Sequence, residues 1–107
     1  MNWIHPDIAG KRFVFECIDD GFTDFANEHC SGTCPERLLD ELEETISLYH
    51  GEALPLRHDG APTIWELETA HLQAHYMVYE HTIHVGSIAS TRTNVAFESD
   101  DVRELLG

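Results

Sequence analysis

Residues 63–88 read TIWELETAHLQAHYMVYEHTIHVGSI, and whether they form helix or sheet decides the class of the fold. Trp65, Leu67 and Thr69 alternate with Glu66 and Glu68, Ala74, Tyr76 and Val78 alternate with His75 and Met77, and Ile83 and Val85 flank His84. A period of two puts one set of side chains on each face of a strand. Glu, Leu, Ala, Gln and Met are also strong helix formers, so a helix over residues 63–79 is the competing reading. The hairpin register favours strands. If Glu80-His81 is the turn, Val78 faces Ile83 and Tyr76 faces Val85, all on one side. Gly86 then hosts a bulge that returns Ile88 to the buried face. His75 and His84 share the opposite face, with Met77 between them.

Downstream, Ser90-Thr91-Arg92 reads as a turn and residues 93–98 as a last strand with Val95 and Phe97 inward. Ser99-Asp100-Asp101 has the hydroxyl and acids of a helix start, and Val102, Leu105 and Leu106 would close the core. Upstream, residues 52–62, EALPLRHDGAP, read as a proline-rich connection with Leu54 and Leu56 tucked inward. Before it lies PERLLDELEETISLYH, residues 35–50. Here Leu38, Leu39, Leu42, Ile46 and Tyr49 recur at helical steps, Pro35 suits the first helical position, and Gly51 ends the run. A shorter helix capped by Thr23 would place Phe22, Phe25, Ala26 and His29 on one face, ending at Ser31-Gly32. Residues 11–18 are apolar on both faces, the pattern of an interior strand. Trp3 and Ile4 are expected to lie back over the core. The sum is one α+β domain over residues 1–107, an antiparallel sheet of four to five strands backed on one face by two or three helices, in the order β-α-α-β-β-β-β-α.

Charge separates this chain from an average domain. It carries 20 Asp and Glu against 6 Lys and Arg, a formal net charge of -14. Such a field repels nucleic acid and anionic membranes and accelerates encounter with a basic partner. The apolar fraction of 42% excludes a wholly disordered acidic tail. No apolar run approaches the roughly 20 residues that span a bilayer. Three cysteines and the lack of a hydrophobic leader after Met1 argue for a cytoplasmic protein with reduced thiols.

The acids are also concentrated. From Glu16 to Glu44 ten carboxylates accompany one cation, Arg37. In the helix of residues 35–50, Glu36, Asp40, Glu43 and Glu44 form one ridge, and Asp19, Asp20, Asp24 and Glu28 extend it. Carboxylates three and four apart on a helix lie about 5–6 Å from one another, close to the interval between successive phosphates on a nucleic-acid strand. The expected activity is that of a protein-binding inhibitor, whose nucleic-acid-mimicking face blocks a basic protein that handles nucleic acid. In charge and size alone, the chain resembles small immunity proteins against nuclease toxins and phage-encoded anti-defence proteins, anti-CRISPR proteins among them. The plain alternative for such a face is solvation.

A different use of the sequence is a small zinc-binding adaptor built on His29, Cys30 and Cys34. Their spacing suits a first ligand pair, but a second cysteine pair is missing. Enzymatic motifs are absent: there is no phosphate loop, no GxSxG elbow and no HExxH helix. Neither a cofactor nor catalysis is expected. Pairing of residues 93–98 at the sheet edge would give a homodimer.

Overall fold

The computed structural model describes residues 3–16, 18, 21–30, 32–57 and 63–97. The elements run β1 (Arg12–Phe15), α1 (Phe22–His29), α2 (Pro35–Tyr49), a 3-10 turn (His50–Glu52), β2 (Leu54–Arg57), β3 (Ile64–Glu68), β4 (Leu72–Val78) and β5 (Thr82–Ser90). The five strands form one mostly antiparallel sheet in the order β1-β5-β4-β3-β2, an α+β architecture.

The central hairpin has the register its alternation dictates. Val78 lies opposite Ile83 and Tyr76 opposite Val85, and the register shifts by one residue at His75/Tyr76. Gly86 is the exposed extra residue of this bulge, and Ile88 returns to the interior at 1% exposure. Residues 64–68 and 72–78 are therefore strands, because cross-strand burial outweighs their helix propensity. Leu72, Ala74, Tyr76, Ile83, Val85 and Ile88 meet Leu38, Leu42 and Ile46 of α2 in one core cluster. His75, Met77, His84 and Ser87 occupy the other face.

Several expectations are corrected at the margins. β1 is an edge strand and runs parallel to β5, Phe13 beside Ile83 and Phe15 beside Val85, so the sheet is not wholly antiparallel. Its two-sided apolar pattern misled because Val14 is half-buried even at the edge. Residues 54–57, read as a connection, form the opposite edge and pair with β3. An edge strand tolerates Pro55 because one row of its N–H groups has no ladder to join. Leu54 and Leu56 point outward, at 57% and 47% exposure.

Residues 93–97 make a single bridge, Ala89 to Ala96, rather than a strand. Asn94 takes a left-handed conformation with φ 59°, which interrupts the extended run and leaves Val95 41% exposed. Phe97 still packs inward, 5.4 Å from Phe22 and 5.3 Å from Phe25 between ring centroids. The strand proposed for homodimer pairing is thus not formed; the sheet edges are β1 and β2. The third helix was expected within residues 98–107, which lie outside the described residues.

The helices also differ in detail. α1 starts at Phe22 without a side-chain cap from Thr23. Phe22 is drawn inward to 2% exposure, and the cap position falls on Gly21, two residues before Thr23. At the end of α2 the chain tightens into the 3-10 turn. That turn carries His50 inward at 8% exposure and leaves Tyr49 outside at 52%. In the N-terminal arm Ile8 is the anchored residue, at 2%, while Trp3 and Ile4 stay exposed at 65% and 50%. The His5 N–H donates to the Ser47 carbonyl at 2.6 Å and ties the arm alongside α2.

Candidate functional site

The four acids of the α2 ridge lie along its outer side because Leu38, Leu42 and Ile46 fix the inner one. Glu36, Asp40 and Glu44 are exposed and Glu43 is half-buried. The one basic residue of α2, Arg37, lies beside this row and reaches toward Glu41. Its Nε lies 3.7 Å from Glu41, which also meets His71 Nδ1 at 3.1 Å. Glu41, outside the ridge, thus ties α2 to the β3–β4 turn and takes up the helix's own cation.

Two ridge carboxyls are electrostatically distinct. The Cys34 thiol donates to Glu36 Oε2, and this hydrogen bond holds the Glu36 carboxyl below the usual range. Burial pushes Glu43 up, and the neighbouring Asp40 charge pushes it further. The stabilisation that comes with protonating Glu43 is lost as pH rises through its raised pKa, so at neutral pH its charge opposes folding. Glu43→Gln is therefore expected to raise the stability of the isolated protein by a few tenths of a kcal/mol, read as a small increase in thermal midpoint at pH 7. A lower midpoint would show that the carboxylate makes a favourable contact instead.

On α1, Asp24 and Glu28 are exposed and one turn apart. Glu28 Oε2 lies 3.6 Å from His29 Nε2. α1 packs against α2, so these acids belong to the same helical layer. Asp19 and Asp20 lie outside the described residues.

The C-terminal half of the ridge borders a cleft. Ile4, Phe13 and Leu48 supply apolar walls, Glu43, Glu44 and Ser47 the polar rim, and the open cleft between them has a volume of about 330 Å³. Sequence reasoning missed this feature, although Leu48 gave a signal: it is a large apolar residue off the stripe that α2 buries. Ile4 was assigned to the core, and nothing in the sequence said that the arm would stop short of covering it.

His29, Cys30 and Cys34 do not converge. His29 Nδ1 meets Thr93 Oγ1 at 3.0 Å, Cys30 is buried in the core, and Cys34 is exposed beside Glu36. Burial raises the Cys30 thiol pKa, the opposite of what a metal ligand needs. Among the described residues no three His, Cys, Asp or Glu side chains gather closely enough to hold a metal ion.

The open face of the sheet carries a polar row across three strands. His75 meets Glu66 Oε2 through Nε2 at 3.3 Å and Ser87 Oγ through Nδ1 at 3.0 Å, and Gln73 Nε2 donates to Glu66 Oε1 at 2.7 Å. Further along, His84 contacts Glu16, the residue that follows β1. These links join β3, β4, β5 and the end of β1 on the side without helices. They also engage Glu16 and Glu66 on the face away from the α2 ridge.

Family models, curated proteins and solved structures were all searched, and none matches this chain. Among the described residues no helix is long and apolar enough to cross a membrane.

Proposed function

We propose that the protein is an inhibitor that binds a basic, nucleic-acid-handling protein through the acidic helical face and competes with nucleic acid for it. The observation that supports this reading most is the division of charge on α2. Glu36, Asp40, Glu43 and Glu44 lie off the buried stripe, and the helix's one cation, Arg37, pairs with Glu41, outside that group. Asp24 and Glu28 extend the acid of the helical layer. Like charges at these spacings destabilise a lone helix, so the arrangement brings no local gain in stability. Stoichiometric neutralisation of this kind suits the immunity and anti-defence classes, and a cytoplasmic setting fits two reduced cysteines, Cys30 and Cys34.

The test is chromatography of a host lysate over the immobilised protein with a salt gradient, followed by competition with nucleic acid. A basic protein should be retained at low salt, elute steeply as salt rises, and lose its nucleic-acid binding at one equivalent of this chain. Retention indifferent to salt, or a complex that still binds nucleic acid unchanged, would overturn the reading.

The same complex should weaken as pH falls from neutral toward the carboxylate range. Burial and the neighbouring Asp40 charge raise the Glu43 pKa, so this acid gives up its charge at a higher pH than an ordinary carboxylate and subtracts negative charge from the helical layer. A dissociation constant that stays flat over that fall in a calorimetric titration would count against this surface as the contact.

A further inference from the structure

The cleft at the end of the ridge narrows what the partner must present. Its walls are Ile4, Phe13 and Leu48, its rim is Glu43, Glu44 and Ser47, and Trp3 stands exposed next to Ile4 in the arm. Apolar surface and carboxylate are therefore continuous here, whereas along Glu36 and Asp40 the surface is polar. A purely hydrophilic cation has no use for the apolar walls. A neutral apolar group would dehydrate the Glu43 carboxylate without pairing it, which is costly. An acidic segment is repelled outright. The occupant that satisfies both parts is a side chain with an apolar body, next to a lysine or arginine whose stem can lie along the wall and whose head meets the rim.

We propose that this cleft is the anchoring site for an amphipathic basic segment of a protein partner, one apolar side chain entering between Ile4, Phe13 and Leu48 and adjacent cations meeting Glu43 and Glu44. The inference rests on the acidic-surface reading and adds to it: charge brings the partner to the face, and the apolar anchor sets where it docks. Nucleic acid and phosphate ligands are excluded by the same carboxylates.

Two synthetic peptides of equal length and equal lysine and arginine content test it. One carries leucine between the cations and the other carries serine at those positions. Binding is followed by tryptophan fluorescence and by amide NMR shifts at low and high salt. The leucine peptide should bind about tenfold more tightly than its serine twin, the gain expected for burying most of one leucine side chain. Its shifts should centre on Ile4, Phe13 and Leu48. The preference should vanish in Ile4→Ser, a change at a half-exposed position that leaves the core intact, with circular dichroism as the check on folding. Equal, salt-sensitive binding of both peptides would overturn the anchoring site and leave the acidic-surface reading standing. A leucine preference unaffected by Ile4→Ser would place the apolar contact elsewhere and overturn the site as well. Binding of neither peptide at low salt would remove both.

Discussion

Replacing Glu36, Asp40, Glu43 and Glu44 together by their amides is expected to weaken the complex with a basic partner about a hundredfold at low salt, while the thermal midpoint stays level or rises. The size follows from four rim charges, each coupling to a partner cation by something under 1 kcal/mol, with tenfold in affinity per 1.4 kcal/mol. The direction of the stability change follows from the monomer alone. Removing four like charges relieves repulsion along α2, and none of the four contributes to the buried stripe of Leu38, Leu42 and Ile46. Affinity and stability are thus predicted to move in opposite senses, which a folding defect does not produce. Amidating Glu16, Glu66, Glu68 and Glu80, four acids away from the ridge, is the matched control and should leave affinity almost unchanged. If the control weakens binding as much as the ridge variant, net charge alone attracts the partner and the ridge is no contact.

The loss should also depend on salt in a particular way. For the unmodified protein the dissociation constant should climb steeply with ionic strength, because exposed pairs beyond about a Debye length, roughly 8–10 Å, are screened. For the amide variant the slope should flatten, leaving whatever apolar contact the Ile4–Phe13–Leu48 cleft provides. The two surfaces are therefore separable: the ridge governs the salt slope, and the cleft the residual at high salt.

How far the sequence could carry this reading depends on which forces are local. The α2 stripe and the hairpin register were legible because each is fixed by side-chain period and one buried face; Val78 opposite Ile83 needs nothing from elsewhere in the chain. The Gly86 bulge was legible for the same reason, since Ile88 had to regain the interior. What depended on distant contacts was not legible. The parallel pairing of β1 with β5 joins segments some 70 residues apart, and nothing in residues 12–15 says which neighbour they choose. The β2 edge was hidden behind two prolines, which mark a connection in most settings and an edge strand in this one. The apolar border of the ridge was not legible, because Ile4 and Phe13 reach Leu48 only through the tertiary paths of the arm and β1. A buried polar pair was missed altogether: His50 reads as a helix-terminal residue, and its partner is 26 positions away.

That pair gives the second large prediction. His50 Nδ1 and Tyr76 Oη share a hydrogen bond of 2.7 Å inside the core, with Trp65 edge-on to the imidazole at 4.9 Å between centroids. Tyr76 is 1% exposed and burial drives its pKa up; burial drives that of His50 down, helped by His5 and Lys11 and opposed by Asp7. Tyr76→Phe keeps the ring and removes the hydroxyl, leaving a buried imidazole nitrogen without its partner. The expected cost is about 2 kcal/mol, or roughly 8–16 °C in thermal midpoint for a domain of this size. The double change His50→Leu with Tyr76→Phe removes both polar groups and should recover most of that loss, since an apolar pair of similar shape leaves nothing unsatisfied. The pH dependence has a definite sign. A histidine whose folded pKa is depressed binds its proton more readily when unfolded, so stability falls as pH drops below the unfolded value of about 6.5 and goes on falling down to the folded pKa. Denaturant titrations of the parent between pH 7 and 5 should show this loss, and the double variant should show a shallower one. Were Tyr76→Phe to melt within a degree of the parent, the His50–Tyr76 bond would not be the buried tie between the 3-10 turn and the sheet that the geometry describes.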